Sequence, residues 1–335
     1  MNRIATPIAS VVMTAWNSEL YLDQAVASIL TQTFSEFEFI VVDDGSTDRT
    51  AALLTAYKAR DSRMSVFSRN HQGRINALNF ACERARGKYL FNLDADDVAL
   101  PTRIEQQFAF MEENPDTALL GTASRLIWAD GRLIRERIPP PDDASIRQEL
   151  MTRACICHTS IAMRKEAFVA AGGYRAPFRY GHDYDLFFRI ADYGELANLD
   201  EVLVLHRIHG NQSSALSFEE MILSGIAVQV AARLRAEKQS DASLLEDENA
   251  ISRATLKQFD VTEEEIDKIT LFVIEHHLAL ALSPERPSES ERQADAFIAL
   301  AKEFCGHCNH QTLFSGDFPL LTRVLNLSTH VVAAG

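Results

Sequence analysis

The sequence has no long apolar segment and no recognisable export signal. Nowhere does it approach the roughly 20 consecutive apolar residues that a membrane-spanning helix needs. Its first apolar run, from Ile8 to Trp16, has no basic segment of any size before it and no small-residue cleavage site. We therefore expect a cytoplasmic protein, with peripheral contact to the inner face of the membrane as the alternative.

Cysteine and positive charge are also scarce. Five cysteines in 335 residues cannot form a disulfide framework, so reduced thiols are expected. The 33 basic residues against 47 acidic ones give a net charge of -14, which opposes binding to nucleic acid because phosphate is also negative. Apolar residues are abundant: a chain that is 47% hydrophobic and 24% charged is globular and can bury a core.

Short apolar runs alternate with amphipathic stretches over the first half of the chain, as in sheets whose parallel strands are joined by helices. The predicted strands, in chain order, are 8–16, 37–44, 64–69, 88–93, 118–128, 133–138, 158–163 and 202–208. The predicted helices are 18–33, 46–57, 76–84, 101–113 and 184–192. Ser46 or Thr47 is expected to cap the second of these helices.

Strand signals end near residue 214, and only helical patterns follow. These cover 218–238, 243–259, 263–282 and 288–304. The predicted organisation is an α/β domain over 1–214 and an α-helical C-terminal region over 215–335. One side of the first tail helix is apolar, which more often means packing on the first domain than membrane binding. An acceptor-shaping lid, a dimer or other homo-oligomer interface and a peripheral membrane contact would all require such an apolar side. The sequence does not choose among these three roles.

Two predicted strands end in clusters of aspartates. Asp43 and Asp44 close the second strand, and Asp94, Asp96 and Asp97 follow the fourth. Ligands of open α/β sheets bind at the carboxyl ends of the strands, so both clusters are expected to face one crevice. Converging carboxylates repel one another and call for a cation, and an all-oxygen ligand set favours Mg2+ or Mn2+ over zinc. A metal-bridged diphosphate is the natural occupant.

Other interpretations of these clusters exist. Aspartates at strand ends also form turns and cap helices, which is the simpler interpretation of either cluster alone. A receiver-type phosphoacceptor pocket needs a lysine on a late strand and a much shorter domain. A dinucleotide-binding fold is disfavoured because no glycine-rich turn follows the first strand. A nucleotidyltransferase is disfavoured because there is no glycine-rich, basic loop for a triphosphate.

A third acidic segment, from Gly181 to Arg189, is predicted to begin a helix. A carboxylate near the positive end of the helix dipole stays ionised at neutral pH, which suits Asp183 for a general base. Inverting sugar transfer needs such a carboxylate to take the proton of the attacking hydroxyl group. The alternative makes Asp183 a helix N-cap and Asp185 a solvated neighbour.

In order and spacing, these segments resemble family 2 glycosyltransferases of the GT-A fold. The resemblance covers about residues 7–214 and implies an α/β nucleotide-diphospho-sugar transferase fold, a Rossmann-like mixed sheet flanked by helices, with a C-terminal helical extension. The strings that carry it are Ser10–Asn17, Gln32–Phe34, Val41–Asp48, Gly87–Tyr89, Asp94–Asp97, Gly172–Tyr174, Gly181–Arg189 and His206–His209.

The resemblance implies a donor site at the ends of the first strands. Thr14, Trp16 and Glu19 would line the nucleoside pocket, where Trp16 replaces a common tyrosine and keeps a flat stacking surface. Asp44 would accept a hydrogen bond from a uracil ring nitrogen. Arg74 would lie near the diphosphate.

The same resemblance implies a metal site. The string from Asp94 to Asp96 matches the DxD motif of the family, with Asp94 near the ribose or the metal and Asp96 as the principal metal ligand. His209 would lie in a closing loop and supply a further metal or phosphate contact. The implied cofactor is Mn2+ or Mg2+.

On the acceptor side, Asp183 matches the general base of the family. His182 stands where the family usually has a glutamate. His158 matches an acceptor-side position, and the alternative is a hydrogen-bonded histidine beside a strand.

The sequence therefore predicts a metal-dependent, inverting glycosyltransferase. Its donor would be a nucleotide sugar, most naturally a UDP-sugar, and its acceptor a hydroxyl group of a glycan or lipid-linked precursor in cell-surface polysaccharide biosynthesis. The alternative is a non-catalytic sugar-nucleotide-binding or scaffold protein that keeps the fold. In the tail, Cys305–His310 packs four potential zinc ligands too closely for one tetrahedral ion, so zinc is not expected there.

Overall fold

A computed structural model of the protein describes residues 7–209, 218–245 and 251–271. Within these ranges, residues 7–127 and 131–207 form one compact unit, and 128–130 with the residues after 207 form a second. Three predicted features lie outside the described residues: the boundary at 214, the helical segments predicted beyond residue 271, and the Cys305–His310 cluster. The division into domains 1–214 and 215–335 thus stays a prediction.

A mixed, nine-stranded sheet with helices between its strands forms the centre of the fold. Its strands are β1 (Ala9–Ala15), β2 (Phe37–Asp43), β3 (Met64–Ser68), β4 (Tyr89–Asn92), β5 (Val98–Ala99), β6 (Thr117–Trp128), β7 (Leu133–Arg137), β8 (Ala162–Arg164) and β9 (Glu195–Ile208). The helices up to residue 207 are α1 (Leu22–Leu30), α2 (Thr50–Lys58), α3 (Arg74–Arg84), α4 (Arg103–Glu113), α5 (Asp143–Leu150), α6 (Lys165–Ala170) and α7 (His182–Ile190).

The order of the strands brings several loops to one edge of the sheet. That order is β3-β2-β1-β4-β8-β6-β9-β5, and β7 pairs with β6. β1 is parallel to β2 and β4, and β2 is parallel to β3. Because parallel strands end at the same edge, the residues that follow β1, β2, β3 and β4 are neighbours there.

The core lies against one face of these parallel strands. Alternate residues of β1 and β2 point into it, including Val11, Met13 and Phe39, which are all fully buried. On α1 the core residues recur with helical spacing, as Val26 and Ile29 illustrate. The central strands are buried along almost their whole length, which explains why they appear in the sequence as continuous apolar runs.

The antiparallel pairing of β4 with β8 adds another segment to the same edge. Phe91 lies opposite Ala162, so the residues before β8 lie beside those that follow β4. A 3-10 helix, His158–Ser160, occupies this position, and the strand predicted from residue 158 begins only at Ala162. The backbone N–H of Asp94 donates to Thr159 Oγ1 at 3.0 Å, which the geometry of a continuous strand would not provide.

The predicted caps of α2 serve another purpose. Ser46 Oγ accepts a hydrogen bond from the backbone N–H of Asn17 at 2.9 Å, and the N–H of Thr47 donates to Asn17 Oδ1 at 2.8 Å. These contacts hold the loop after β1, and α2 begins later, at Thr50, whose N–H donates to Asp48 Oδ1 at 2.9 Å. The prediction of a cap at residue 46 or 47 was therefore wrong. β5, α5 and α6 are not predicted from the sequence because each is too short to show a clear period.

The second unit contains α8 (Phe218–Ala236), a 3-10 helix (Ala242–Leu245), α9 (Arg253–Lys257) and helical residues 263–271. The continuous helix predicted over 243–259 is wrong, because Ser252 caps a new helix by accepting the N–H of Thr255 at 3.1 Å. Arg253 contacts Glu219, Glu263 and Asp267 and so joins three segments. Among the described helices of both units, none combines the length and apolar character needed to cross a membrane.

The turn after β2 depends on Gly45, which has a φ of +79°. A Cβ atom on this residue would lie 2.7 Å from the backbone nitrogen of His71. We predict that Gly45→Ala lowers the free energy of unfolding by more than the roughly 1–2 kcal/mol that a left-handed conformation alone costs an L-residue, because a backbone clash is added. Urea denaturation measures the loss.

Gly131→Ala is the matched control. Gly131 has a φ of +89°, and an added Cβ would meet no described atom within 4 Å. It should therefore show the conformational cost without the clash. Equal losses in the two variants would contradict the account of the turn.

Candidate active site

The loops after β1, β2 and β3 are held together at the sheet edge. The rings of Trp16 and His71 stack with centroids 4.6 Å apart, and Trp16 is 54% exposed. His71 Nδ1 lies 2.9 Å from Asp44 Oδ2. The buried carboxylate of Asp44 also accepts the backbone N–H groups of Gln72 and Gly73, at 3.1 and 2.8 Å. The result is an exposed aromatic surface beside a fixed carboxylate.

Two residues predicted for the nucleoside pocket have other surroundings. Thr14 is a half-buried residue of β1. Glu19 Oε2 accepts hydrogen bonds from both the backbone N–H and the Nε–H of Arg49, at 3.0 and 3.1 Å. The backbone N–H of Glu19 donates to Asp48 Oδ2. Their part in nucleoside binding stays a prediction.

Arg74, the first residue of α3, connects these loops to the acidic cluster. Its Nη2 donates to Asp94 Oδ1 and Oδ2 at 2.6 and 2.7 Å, and it lies 3.2 Å from His158 Nδ1. Burial lowers the pKa of Arg74, but the charges of Asp94, Asp96 and Asp183 raise it above the usual value. Three predicted site carboxylates therefore act on one guanidinium group.

Asp94, Asp96 and Asp97 each offer a carboxylate oxygen within 4.8 Å of the others. Burial raises the pKa of Asp94, but Arg74 and His158 hold it well below its usual range. In contrast, burial and the charges of Asp96 and Asp94 raise the pKa of Asp97 well above its usual value. The all-oxygen donor set of the cluster fits Mg2+ or Mn2+.

Asp183 is the second residue of α7, and Gly181 is the N-cap. Asp183 Oδ1 accepts the backbone N–H of Tyr184 at 2.9 Å. Burial raises the pKa of this carboxyl, but His182 and His158 are the largest opposing influences and the pKa lies below its usual value. The carboxylate is therefore ionised at neutral pH and can accept a proton. The alternative that makes Asp183 the helix N-cap was wrong.

Asp185, two residues further along α7, is fully buried. Its carboxylate accepts hydrogen bonds from Arg175 and from Arg189 Nη2, the latter at 2.7 Å. The expectation of a solvated Asp185 was therefore wrong. A carboxylate on the buried side of a helix is unfavourable unless a positive charge is paired with it, and the two arginines provide that charge.

His158 is buried and fully hydrogen-bonded. Its Nδ1 lies 3.2 Å from both Arg74 Nη2 and Asn92 Nδ2, which are donors, so Nδ1 must be the acceptor. The proton is therefore on Nε2, which donates to the hydroxyl oxygen of Tyr174 at 2.9 Å. Burial lowers the pKa of His158 and keeps the ring neutral. An acceptor-side role for this residue stays a prediction.

Sequence reasoning missed two residues that shape the end of β4. Asn92 Nδ2 donates to Asp94 Oδ1 at 3.1 Å as well as to His158. The buried guanidinium of Arg103 donates to the carbonyl oxygens of Asn92 and Ile161, at 2.8 and 3.2 Å. An asparagine inside an otherwise apolar strand is the signal that could have identified Asn92.

His206, on β9, carries a charge that the sequence analysis did not assign. Its Nδ1 lies 3.9 Å from Cys157 Sγ. Burial lowers the pKa of His206, but Asp97, Cys157 and Asp96 together raise it to about 10. Burial raises the pKa of the Cys157 thiol, whereas His206 lowers it, and the net shift is downward. The imidazolium therefore offsets part of the negative charge of the acidic cluster.

His209 follows the last residue of β9 and is half-buried. Within the first unit, Arg74 contacts the predicted residues Asp94 and His158, and the charges of Asp96 and Asp183 act on it. Asp44 is joined to the same group through the backbone of Gly73, the residue before Arg74. The metal or phosphate contact assigned to His209 stays a prediction.

The mixed sheet, with an acidic cluster at the carboxyl end of a central strand, defines the class of GT-A glycosyltransferases. The chain belongs to glycosyltransferase family 2. The family described as "Glycosyl transferase family 2" matches residues 10–171. The predicted enzyme class and fold are therefore confirmed.

Relatives with known names support the same assignment. The chain is 33% identical over 217 residues to the O-antigen biosynthesis glycosyltransferase WbnJ of Escherichia coli, a match that covers 63% of this chain and 84% of that protein. It is 28% identical over 208 residues to the chondroitin synthase of Escherichia coli, covering 62% of this chain and 30% of that protein.

Solved structures share the fold at low sequence identity. S. aureus TarS 1-349 in complex with UDP-GlcNAc aligns with a TM-score of 0.57 at 18% identity, over 91% of this chain and 82% of that one. The mannosyltransferase PcManGT from Pyrobaculum calidifontis, in complex with GDP-Man and Mn2+, aligns with a TM-score of 0.53 at 14% identity, over 97% of this chain and 88% of that one.

We predict opposite protonation states for two histidines in metal-free protein at about pH 7. His206 should be charged, with a pKa of about 10, and His182 should be neutral because burial lowers its pKa to about 3. The charge on His206 contributes stability that is full below about pH 6.5 and is lost as the pH rises through about 10. Nitrogen NMR of the imidazole rings measures both states.

Urea unfolding of His206→Gln gives an independent check. Its loss of stability relative to the wild type should be largest in mildly acid solution and should shrink as the pH rises. A neutral His206 at pH 7, or a stability difference that does not change with pH, would contradict the charge assignment.

Proposed function

We propose that the protein is a metal-dependent, inverting glycosyltransferase that uses a UDP-sugar donor. Its acceptor is a hydroxyl group of a glycan or lipid-linked precursor in cell-surface polysaccharide biosynthesis. The observation that carries the proposal is the position of Arg74. Its guanidinium group donates a hydrogen bond to Asp94, and the charges of Asp96 and Asp183 raise its pKa. The contact with Asp94 connects the start of α3 to the candidate metal cluster, and the candidate base is close enough for its charge to raise the pKa of Arg74.

The exposed ring of Trp16 supports a nucleotide donor. It lies on His71 and beside Asp44, so a base stacked on the indole would have a carboxylate within reach of its ring N–H groups. The Asp44 carboxylate accepts two backbone N–H groups, which fix its orientation. The UDP-GlcNAc in complex with TarS supports uracil as the base.

The acidic cluster is the proposed place of a divalent cation. As the resemblance to the DxD motif implies, Asp96 would be its principal ligand and Asp94 a second. Asp97 accepts the backbone N–H of Arg207 at 2.7 Å. A bound Mn2+ or Mg2+ would neutralise charge on the departing diphosphate. Arg74 holds Asp94 in place and brings a fixed positive charge to the same position.

Asp183 is the proposed general base. As an ionised carboxylate at the start of α7, it takes the proton of the acceptor hydroxyl while that oxygen attacks the anomeric carbon. The bond from the anomeric carbon to the diphosphate oxygen breaks on the opposite face, and its electron pair leaves with the diphosphate. The configuration at the anomeric carbon is therefore inverted.

The names of the relatives support the acceptor class. One acts in O-antigen biosynthesis and another is a chondroitin synthase, and both names refer to polysaccharides. We extend the proposal to a cytoplasmic location at the inner face of the membrane, where the helical C-terminal region would contact the membrane or a second copy. Family membership favours this enzyme over the non-catalytic scaffold alternative.

We predict that Asp183→Asn lowers kcat by about 10²–10⁴-fold, because the amide cannot accept the proton of the acceptor. Calorimetry with UDP and Mn2+ should show unchanged donor affinity. Asp192→Asn is the matched control: it makes the same change at an exposed residue just beyond α7 and should leave kcat unchanged. Normal transfer by Asp183→Asn would contradict the assignment of the base.

Asp96→Ala should have a different effect. It should weaken the binding of UDP in the presence of Mn2+, because it removes the principal ligand of the cation. Binding of UDP without metal should change little. If UDP binding by the wild type is independent of Mn2+ and Mg2+, the metal-dependent part of the proposal is wrong.

A further inference from the structure

Three buried rings lie next to the candidate base. His158, Tyr174 and His182 are 8%, 3% and 7% exposed. Their ring centroids are 5.1 to 5.7 Å apart, and each pair meets edge to face. His182 precedes Asp183 in α7, and His158 contacts Arg74. The three rings therefore include one that is next to the base in the chain and one that contacts the guanidinium group bound to Asp94.

His182 has unused hydrogen-bonding capacity. Over residues 7–209, 218–245 and 251–271, neither Nδ1 nor Nε2 of this ring has a partner, and both atoms are buried. A neutral imidazole has one N–H donor and one acceptor nitrogen, so both functions are unsatisfied. Buried polar groups are nearly always paired, which makes an unpaired ring in this position unfavourable for the unliganded protein.

Tyr174 has unused capacity as well. Its hydroxyl oxygen accepts the Nε2–H of His158, whose Nδ1 is occupied by two donors. The hydroxyl proton must then go elsewhere, and the hydrogen bonds of the described segments give it no acceptor. A buried O–H donor and an unpaired imidazole therefore belong to neighbouring rings, whose centroids are 5.5 Å apart.

Both groups are held in position by the fold. The side chain of Asn79, on α3, donates to the carbonyl oxygen of Tyr174 at 2.8 Å and accepts its N–H at 2.9 Å. His182 is the first residue of α7. The unpaired atoms are therefore fixed relative to Asp183, as a preorganised binding site requires.

We propose that Tyr174 and His182 form a subsite for the hydroxyl groups of the sugar that reacts at Asp183. This inference rests on the proposed glycosyltransferase function. A sugar ring offers neighbouring hydroxyl groups that each donate and accept, which matches one O–H donor, one N–H donor and one acceptor nitrogen. The hydroxyl groups belong either to the donor sugar or to the acceptor.

The test compares His182→Leu with His182→Asn, two side chains of nearly equal size of which only the second forms hydrogen bonds. In transfer assays with a panel of UDP-sugars and Mn2+, His182→Leu should lose at least about tenfold in kcat/KM, and His182→Asn should keep a larger share. The Tm of His182→Leu should equal or exceed that of the wild type, because an unpaired buried polar group is removed.

Tyr174→Phe should also lose kcat/KM, since it removes the donor and keeps the ring. Tyr57→Phe is its matched control: it deletes a hydroxyl on α2 that donates to the carbonyl oxygen of Asp23, and it should leave activity unchanged. Calorimetry adds a readout of binding. UDP lacks the sugar that is transferred, so its affinity should be the same for the wild type and His182→Leu.

The source of the hydroxyl groups follows from the same variants. A weaker affinity of His182→Leu for the active UDP-sugar, with unchanged affinity for UDP, assigns the subsite to the donor sugar. A raised KM for the acceptor with unchanged affinity for the UDP-sugar assigns it to the acceptor.

The inference is overturned if His182→Leu keeps wild-type kcat/KM, or if its Tm falls and His182→Asn loses as much activity as His182→Leu. Wild-type protein that transfers no sugar from the panel would instead refute the proposed function.

Discussion

Repulsion between carboxylates at one edge of the sheet is the constraint on which the rest of the structure depends. Parallel strands end at this edge, and the loops that follow them bring Asp94, Asp96 and Asp97 within 4.8 Å of one another. Ionised groups at this distance repel strongly when they are shielded from water. The fold compensates them with the guanidinium of Arg74 and the imidazolium of His206, and burial leaves Asp97 with a raised pKa. A divalent cation bound here would add to this compensation.

The same charge compensation shifts the pKa values of Asp94 and Asp97 in opposite directions, which suits these residues to different roles. Arg74 keeps Asp94 ionised, whereas Asp97 accepts a backbone N–H and has a raised pKa. Asp183 stays ionised although it is buried, because the backbone N–H of Tyr184 and the charge of Arg74 lower its pKa and because the neighbouring His182 is not a second carboxylate. A carboxylate in the place of His182 would raise the pKa of Asp183. A histidine rather than a carboxylate at position 182 therefore helps to keep Asp183 ionised and able to accept a proton.

Much of the first unit can be predicted from the sequence, because buried parallel strands produce apolar runs and their ends carry the acidic clusters. The candidate base could be placed for a similar reason, since the start of a helix is visible in the sequence. What could not be predicted depends on contacts between distant segments. The antiparallel pairing that brings His158 to Asp94 is one example, and the contact of Arg74 with Asp94 is another. Local signals were also misread where side chains of one loop, such as Ser46, hold another loop instead of capping a helix.

The central claim is that one cation and one nucleotide diphosphate occupy this edge of the sheet together. Crystals soaked with Mn2+ and UDP, with an anomalous difference map for manganese, test it most directly. The account predicts a single manganese peak at coordination distance from both the Asp96 carboxylate and the diphosphate, with the uracil stacked on Trp16. Bound UDP with no manganese beside Asp96, or with its base away from Trp16, would contradict it.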